Sequence, residues 1–257
     1  MDRLTDAEVA IDAAAAGADV VRRMYGGALS HFDKSPTDFA TEADLESERA
    51  ILEVIRAARP DDAVIGEEYG ASGTAARTWL VDPLCGTLNF AAQTPLFSVN
   101  VALPSTGVAA VADPLTNELL WTDGTTTHLR GLSPTDLPAT PSAASRLVDV
   151  DIDAPQGTDF LGAQLLADEK FLAAFGGRVS STTLALAWVA IGRRAAYIAD
   201  GDLLDSVHFA AGIAVCQAAG CTVTDFRGNP VHTGPGLIAT ADPTTHQRLL
   251  DLVAPHL

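Results

Sequence analysis

The residues that could do chemistry gather in two short stretches, Gly66-Glu67-Glu68 and Asp82-Pro83-Leu84-Cys85-Gly86-Thr87-Leu88-Asn89-Phe90. Glu67 and Asp82 are carboxylates delivered by a turn and a strand end, a donor set that suits a hard, oxygen-seeking cation such as Mg2+. Asp82-Pro83 predicts the end of that strand, because proline has no N–H to donate and holds its predecessor extended. Gly86-Thr87 then opens a helix whose first N–H groups are available to an anion. A cation site beside an N–H cradle implies a phosphate ligand. The plain alternative is a strand, an acidic turn and a capped helix that bind nothing.

Other segments extend the pattern along the chain. Lys34-Ser35-Pro36-Thr37-Asp38-Phe39-Ala40-Thr41-Glu42-Ala43-Asp44 lies upstream. Ser180-Ser181-Thr182-Thr183-Leu184, Val189-Ala190-Ile191-Gly192-Arg193, Val207-His208-Phe209-Ala210-Ala211-Gly212 and Ala218-Ala219-Gly220-Cys221-Thr222-Val223-Thr224-Asp225 lie downstream. With the two acidic stretches, and in this order, they resemble the inositol monophosphatase family of Mg2+-dependent phosphatases over nearly the whole chain. Fold-level likeness does not by itself establish activity. The resemblance implies that Glu67, Asp82 and the backbone carbonyl of Leu84 hold one metal ion. It also implies that Gly86 and Thr87 bind phosphate; Ser181 and Asp205 are expected as further substrate contacts. Thr87 and Asp44 would orient the attacking water, and Glu68 would support that water or a further ion.

The family builds its second metal position from the shared aspartate and two more, which here are Cys85 and His208. A thiol and an imidazole serve Mg2+ poorly, so the second ion is expected to be absent or replaced by Zn2+, Mn2+ or Fe2+. Loss of that ion would remove leaving-group stabilisation, on the order of several kcal/mol. Three readings stay open: a metal-dependent phosphatase, an enzyme using a Cys85/His208 dyad, and a non-catalytic binding module. In the dyad, Cys85 is the thiol nucleophile, His208 its base or cationic partner, and Asp205 a possible orienting carboxylate.

At 257 residues, with 47% hydrophobic residues and a mean hydropathy of +0.18, the chain is expected to fold around a sizeable core. No stretch approaches the roughly 18 apolar residues of a membrane span. Met1-Asp2-Arg3-Leu4-Thr5-Asp6 does not read as a secretory leader, so a cytoplasmic location is expected. A formal charge of −17 argues against nucleic acid or an anionic membrane as partner. It leaves a small phosphate ester as the expected ligand, with bound cations offsetting the field. The family resemblance adds an expected homodimer. Cys85, Cys216 and Cys221 show no C-x-x-C spacing and suit a reducing compartment.

The elements that must position these residues read as a mixed α/β (α+β) chain, which the family's layered α-β-α-β-α sandwich accommodates. An N-terminal α/β half over 1–135 carries the acidic motif, and a C-terminal α/β half over 145–257 packs with it as one unit. The Pro- and Ser-rich stretch 132–144 is the expected linker. Helices are expected at 7–25 (capped by Asp6), 42–57, 163–175, 183–192, 208–219 and 243–253 (capped by Asp242). Strands are expected at 63–65, 78–81, 98–103, 108–112, 118–122, 146–151, 195–199, 222–225 and 236–239. His31, His128, His232, His246 and His256 are expected to face solvent. Asp200, Asp202 and Asp205 read as solvated loop carboxylates, with contact to substrate hydroxyls or an amine as the alternative.

Overall fold

Thr5 starts the first helix. Its side chain accepts from the Glu8 N–H (3.2 Å) while the Glu8 carboxylate accepts from the Thr5 N–H (2.7 Å). This capping box makes Thr5, rather than Asp6, the cap of α1 (Asp6–Met24). The computed structural model describes residues 4–28, 30–35, 38–131, 135–152, 161–201, 203 and 206–257. Asp202, Asp205 and part of the expected linker lie outside the described residues. The chain forms two compact units, Met1–Pro138 with Asp205–Val215, and Ala139–Leu204 with Cys216–Leu257.

In the first unit α1 is followed by an antiparallel hairpin, β1 (His31–Ser35) and β2 (Asp38–Thr41), irregular between Asp33 and Ser35. Then come α2 (Glu42–Ala58), β3 (Ala63–Gly66), β4 (Gly70–Ser72), β5 (Thr78–Cys85) and the short α3 (Thr87–Ala91). A meander follows through β6 (Ser98–Leu103), β7 (Val108–Asp113), β8 (Glu118–Asp123), β9 (Thr127–Arg130) and β10 (Leu137–Pro138). Among the described residues these strands form an eight-stranded sheet in the order β10-β9-β8-β7-β6-β5-β3-β4. α1 and α2 pack on it through Val9, Ala13, Val21, Ile51 and Ile55, which meet Trp79, Val99 and Val101 in one apolar core. β3 pairs parallel with β5, and β5 antiparallel with β6.

β5 does not stop at Asp82-Pro83; it runs on to Cys85. Its pairing with β3 ends at Val81, and its register with β6 is broken between Asp82 and Cys85. Pro83 therefore sits where no ladder bond is asked of it, so its missing N–H costs nothing.

The second unit holds β11 (Leu147–Val150), α4 (Leu161–Ala167), α5 (Glu169–Ala174), β12 (Gly176–Arg178), α6 (Leu184–Ala190) and β13 (Ala196–Ala199). α7 (Ala210–Ala218) runs across the change of unit, followed by β14 (Thr222–Thr224), β15 (Leu237–Thr240) and α8 (Pro243–Val253). The described strands here order as β12-β11-β13-β15-β14. The single helix expected at 163–175 is two, because Asp168 accepts from the N–H groups of Lys170 (2.6 Å) and Phe171 (3.1 Å) and caps a new start. Asp242 caps α8 as expected, accepting from the Thr245 N–H at 2.8 Å. Asp200 is not a free loop carboxylate: it accepts from Leu161 N (3.3 Å) and Gly162 N (2.9 Å) at the start of α4. His246 is buried, not solvent-facing, between the hydroxyls of Thr224 (2.9 Å) and Thr240 (3.2 Å). Burial holds its pKa below the usual histidine value.

Candidate functional site

α2 supplies the floor of the site. Its buried stripe begins with Asp44, Ser47 and Glu48 and turns apolar at Ile51, Leu52 and Ile55. Polar groups at i, i+3 and i+4 on a core-facing stripe need partners. Asp44 closes the capping box of α2, accepting from the Thr41 N–H (2.7 Å) and hydroxyl (2.6 Å). Ser47 donates to the Pro83 carbonyl (2.8 Å). Glu48, fully buried, accepts from the N–H groups of Glu68 (2.8 Å) and Tyr69 (3.1 Å). The Glu67-Glu68 turn is thus bolted to α2 by one carboxylate. Gly66 makes room for it: a Cβ there would lie 1.8 Å from Glu48 Oε1.

Glu67 leaves the end of β3 with its N–H on the Val81 carbonyl (3.1 Å), beside Asp82. Asp82 is completely buried. Its Oδ1 accepts from the Leu84 N–H (3.1 Å) and its Oδ2 meets His208 Nδ1 at 2.8 Å. His208 belongs to the segment that returns to the first unit. It stands in the turn before α7 rather than inside that helix. The Asn100 side chain pins the turn by donating to the His208 carbonyl (3.2 Å). Glu67 Oε2 lies 3.9 Å from the same imidazole nitrogen. Lys34 on β1 bridges Glu67 (2.9 Å) and Glu68 (2.5 Å).

Charge crowding shifts the ionisation of these groups. Burial, and then the charge of Asp82, push Glu67 up to about 8. Burial alone would lower His208, but the charge and hydrogen bond of Asp82 lift it to about 9. Lys34 is likewise raised, the attraction of Glu67 and Glu68 outweighing its burial. Burial raises Asp44 to about 6 against the bonds from Thr41 and Thr87. The carboxylates attract more positive charge than one lysine and one histidine bring.

Cys85 ends β5 and is buried. Gly86 caps α3 at φ 101°, and a Cβ there would stand 2.9 Å from the Leu96 carbonyl, so only glycine makes this corner. The Thr87 hydroxyl reaches Asp44 Oδ1 (2.9 Å) and the Leu84 carbonyl (3.1 Å). A hydroxyl has one proton, so it shares that proton between the two acceptors. α3 rests on Phe90, which packs edge-on to Phe97 (5.2 Å between ring centres).

The first unit therefore brings together Asp44, Glu67, Glu68, Asp82, Leu84, Cys85, Gly86, Thr87 and His208. Ser181 belongs to the second unit, where it takes φ 45°, and Asp205 lies outside the described residues. Glu48 and Asn100 escape a reading of the sequence. Their signal is a polar residue where the helix stripe or the Val99–Val101 strand pattern asks for an apolar one. Glu67, Asp82 and the Leu84 carbonyl are all oxygen donors with negative charge in excess, which fits Mg2+. Asp82, Cys85 and His208 also group, their ligand atoms lying within 4.8 Å of one another. That oxygen, sulfur and nitrogen set does not fit Mg2+.

Residues 2–257 match the model of the inositol monophosphatase family. An inositol-1-monophosphatase of Caulobacter vibrioides is 33% identical, the match covering 94% of this chain and 98% of the relative. A Nus factor SuhB of Escherichia coli K12 is 31% identical over 94% of this chain and 93% of its own. The solved structure of the extragenic suppressor protein suhB from Bartonella henselae superposes with a TM-score of 0.83 at 26% identity, over 96% of this chain and 97% of that one.

Proposed function

This chain belongs to the inositol monophosphatase family, and from that premise we propose that it hydrolyses a small phosphate monoester, of a polyol, sugar or nucleotide, with Mg2+. The observation that supports this most is the grouping of Glu67, Asp82 and the Leu84 carbonyl beside the Thr87–Asp44 pair (2.9 Å). Glu67, Asp82 and Leu84 are the residues that would hold Mg2+, which when bound polarises a phosphoryl oxygen. Thr87 hands its proton toward Asp44 Oδ1, leaving its oxygen lone pairs to accept from a water. Asp44, held at about 6, is mostly anionic at neutral pH and would accept the Thr87 proton as that hydroxyl takes one from the attacking water. Glu68 is placed by Glu48 and Lys34 to orient the same water. Gly86 and Thr87 offer N–H groups to the phosphate.

The family's second Mg2+ is not part of this reading, since Cys85 and His208 do not suit it. A homodimer in the cytoplasm and the exclusion of nucleic acid remain part of it, the last resting on the charge of −17. No helix among the described residues is long and apolar enough to cross a membrane. Two other readings keep support. The Asp82–His208 pair (2.8 Å) close to Cys85 favours the thiol dyad. Relatives bearing the name Nus factor SuhB favour a binding role.

The deciding experiment is turnover across a panel of phosphate monoesters with Mg2+, then with a chelator, then after alkylation. Hydrolysis that needs Mg2+ and disappears in Glu67→Gln and Asp44→Asn is expected. Activity that withstands chelation and is lost on alkylation would move the assignment to the dyad. No turnover of any ester by folded protein would leave the binding role.

A further inference from the structure

The Cys85 and His208 substitutions do more than remove oxygen ligands; together with Asp82 they assemble a different donor set. Among the described residues, Asp82, Cys85 and His208 place one carboxylate oxygen, one sulfur and one imidazole nitrogen within 4.8 Å of one another. A tetrahedral Zn2+ with bonds of about 2.0–2.3 Å holds its ligand atoms roughly 3.3–3.8 Å apart, so modest adjustment closes the group on an ion. Each ligand is fixed beforehand by contacts to the rest of the unit. Asp82 is tied through Oδ1 to the Leu84 N–H (3.1 Å), which leaves Oδ2 toward the imidazole. Cys85 is held at the end of β5, directly before the Gly86 corner. His208 is anchored by Asn100 through its carbonyl (3.2 Å). Asp82 and Cys85 are buried, whereas His208 is partly open to solvent.

We propose that this chain binds one Zn2+ at Asp82, Cys85 and His208. Thiolate and imidazole select Zn2+ over Mg2+, which demands oxygen and six-fold geometry. Three protein ligands with a solvent-open side leave a fourth position for water or an incoming ligand, the pattern of reactive rather than purely structural zinc sites. The Cys85 sulfur enters as thiolate, its proton leaving to solvent. The site goes beyond the phosphatase reading and does not depend on it, because an inactive chain would take up the ion equally well.

The test uses the metal alone with the full-length protein. Chelator competition should give one Zn2+ per chain, and Co2+ should produce a sulfur-to-metal charge-transfer band in the near ultraviolet. X-ray absorption of the Zn2+-loaded protein should show one sulfur neighbour at about 2.3 Å. In Cys85→Ser the Co2+ band should vanish, and in Cys85→Ser and His208→Ala Zn2+ affinity should fall by at least about 100-fold. A Cys216→Ser/Cys221→Ser variant should keep the band, and Cys85→Asp should shift preference from Zn2+ toward Mg2+. Absence of sulfur around Zn2+ in the unaltered protein, or a band that persists in Cys85→Ser, overturns the assignment. The absorption measurement needs no variant, so misfolding of a substituted chain cannot mask the answer. Zn2+ binding without ester hydrolysis would uphold this site while sinking the phosphatase reading, and the reverse outcome would do the opposite.

Discussion

Replacing Gly66 by alanine should release the acidic turn from α2, and the same loss should vanish once Glu48 is gone. A Cβ at position 66 would stand 1.8 Å from Glu48 Oε1 and 2.4 Å from its Cδ, so the carboxylate must leave its place. It then drops its two bonds from the Glu68 and Tyr69 N–H groups, at 2.8 and 3.1 Å. Hydrogen bonds to a charged group are worth about 1.5–3 kcal/mol each, so the pair represents about 3–6 kcal/mol. The stiffer alanine backbone returns about 0.4–1 kcal/mol, leaving a net cost of about 2–5 kcal/mol. Glu48→Ala alone should cost a similar amount, since it strands the same two N–H groups. In the Glu48→Ala background, however, Gly66→Ala meets no carboxylate and should be neutral or slightly stabilising. The double-mutant cycle should therefore show a coupling of about 3–6 kcal/mol, the whole value of the two bonds, read from urea unfolding and from exchange at the Glu68 and Tyr69 amides. Additive losses, or undiminished amide protection in Gly66→Ala, would refute the idea that Glu48 holds this turn.

Gly86→Ala should destabilise by about 2 kcal/mol or more, because alanine meets both φ 101° and the Leu96 carbonyl at 2.9 Å; thermal melting against Gly220→Ala, a glycine at φ 86° whose Cβ would meet nothing within 4 Å, separates the clash from the backbone term. Asp200→Ala should cost about 1 kcal/mol as a lost helix cap, seen as faster exchange of the Leu161 and Gly162 amides. His246 gives a pH signature. Its folded pKa lies below the ordinary value of 6.5, so the unfolded chain binds the extra proton first. Stability should be full above about 6.5 and decline as pH falls below it, and His246→Gln should flatten that slope in melts across pH 7 to 5.

The parts of the fold legible in the sequence are those where pattern and punctuation agree. β6, β7 and β8 are apolar runs separated by Pro104–Gly107 and Pro114–Asn117, and they form the meander that reading predicts. α8 follows from Asp242 and Pro243 at its start. β1 is hidden because His-Phe-Asp-Lys-Ser has no alternation and every residue is exposed. The break between α4 and α5 is hidden because Asp168 reads equally well as a surface residue of one long helix. In the site, Glu67, Asp82 and Thr87 are marked by their own motif, whereas Glu48 and Asn100 are not, since each is a polar residue in a stripe that reads as core. His208 is legible only through the likeness of its segment to a family pattern; nothing local says that it turns back toward β5.

The sequence separation of 126 between Asp82 and His208 also sets a clock on synthesis. At ~5–20 residues per second, translation takes roughly 6–25 s to bring the imidazole out after the aspartate. The sheet that carries Asp82 and Cys85 has most of its strands made well before then. For that interval the buried carboxylate and the neighbouring thiol wait without their histidine. A nascent chain paused before residue 208 is thus a species whose Asp82 lacks its imidazole partner, and the arrival of His208 is what completes that pair.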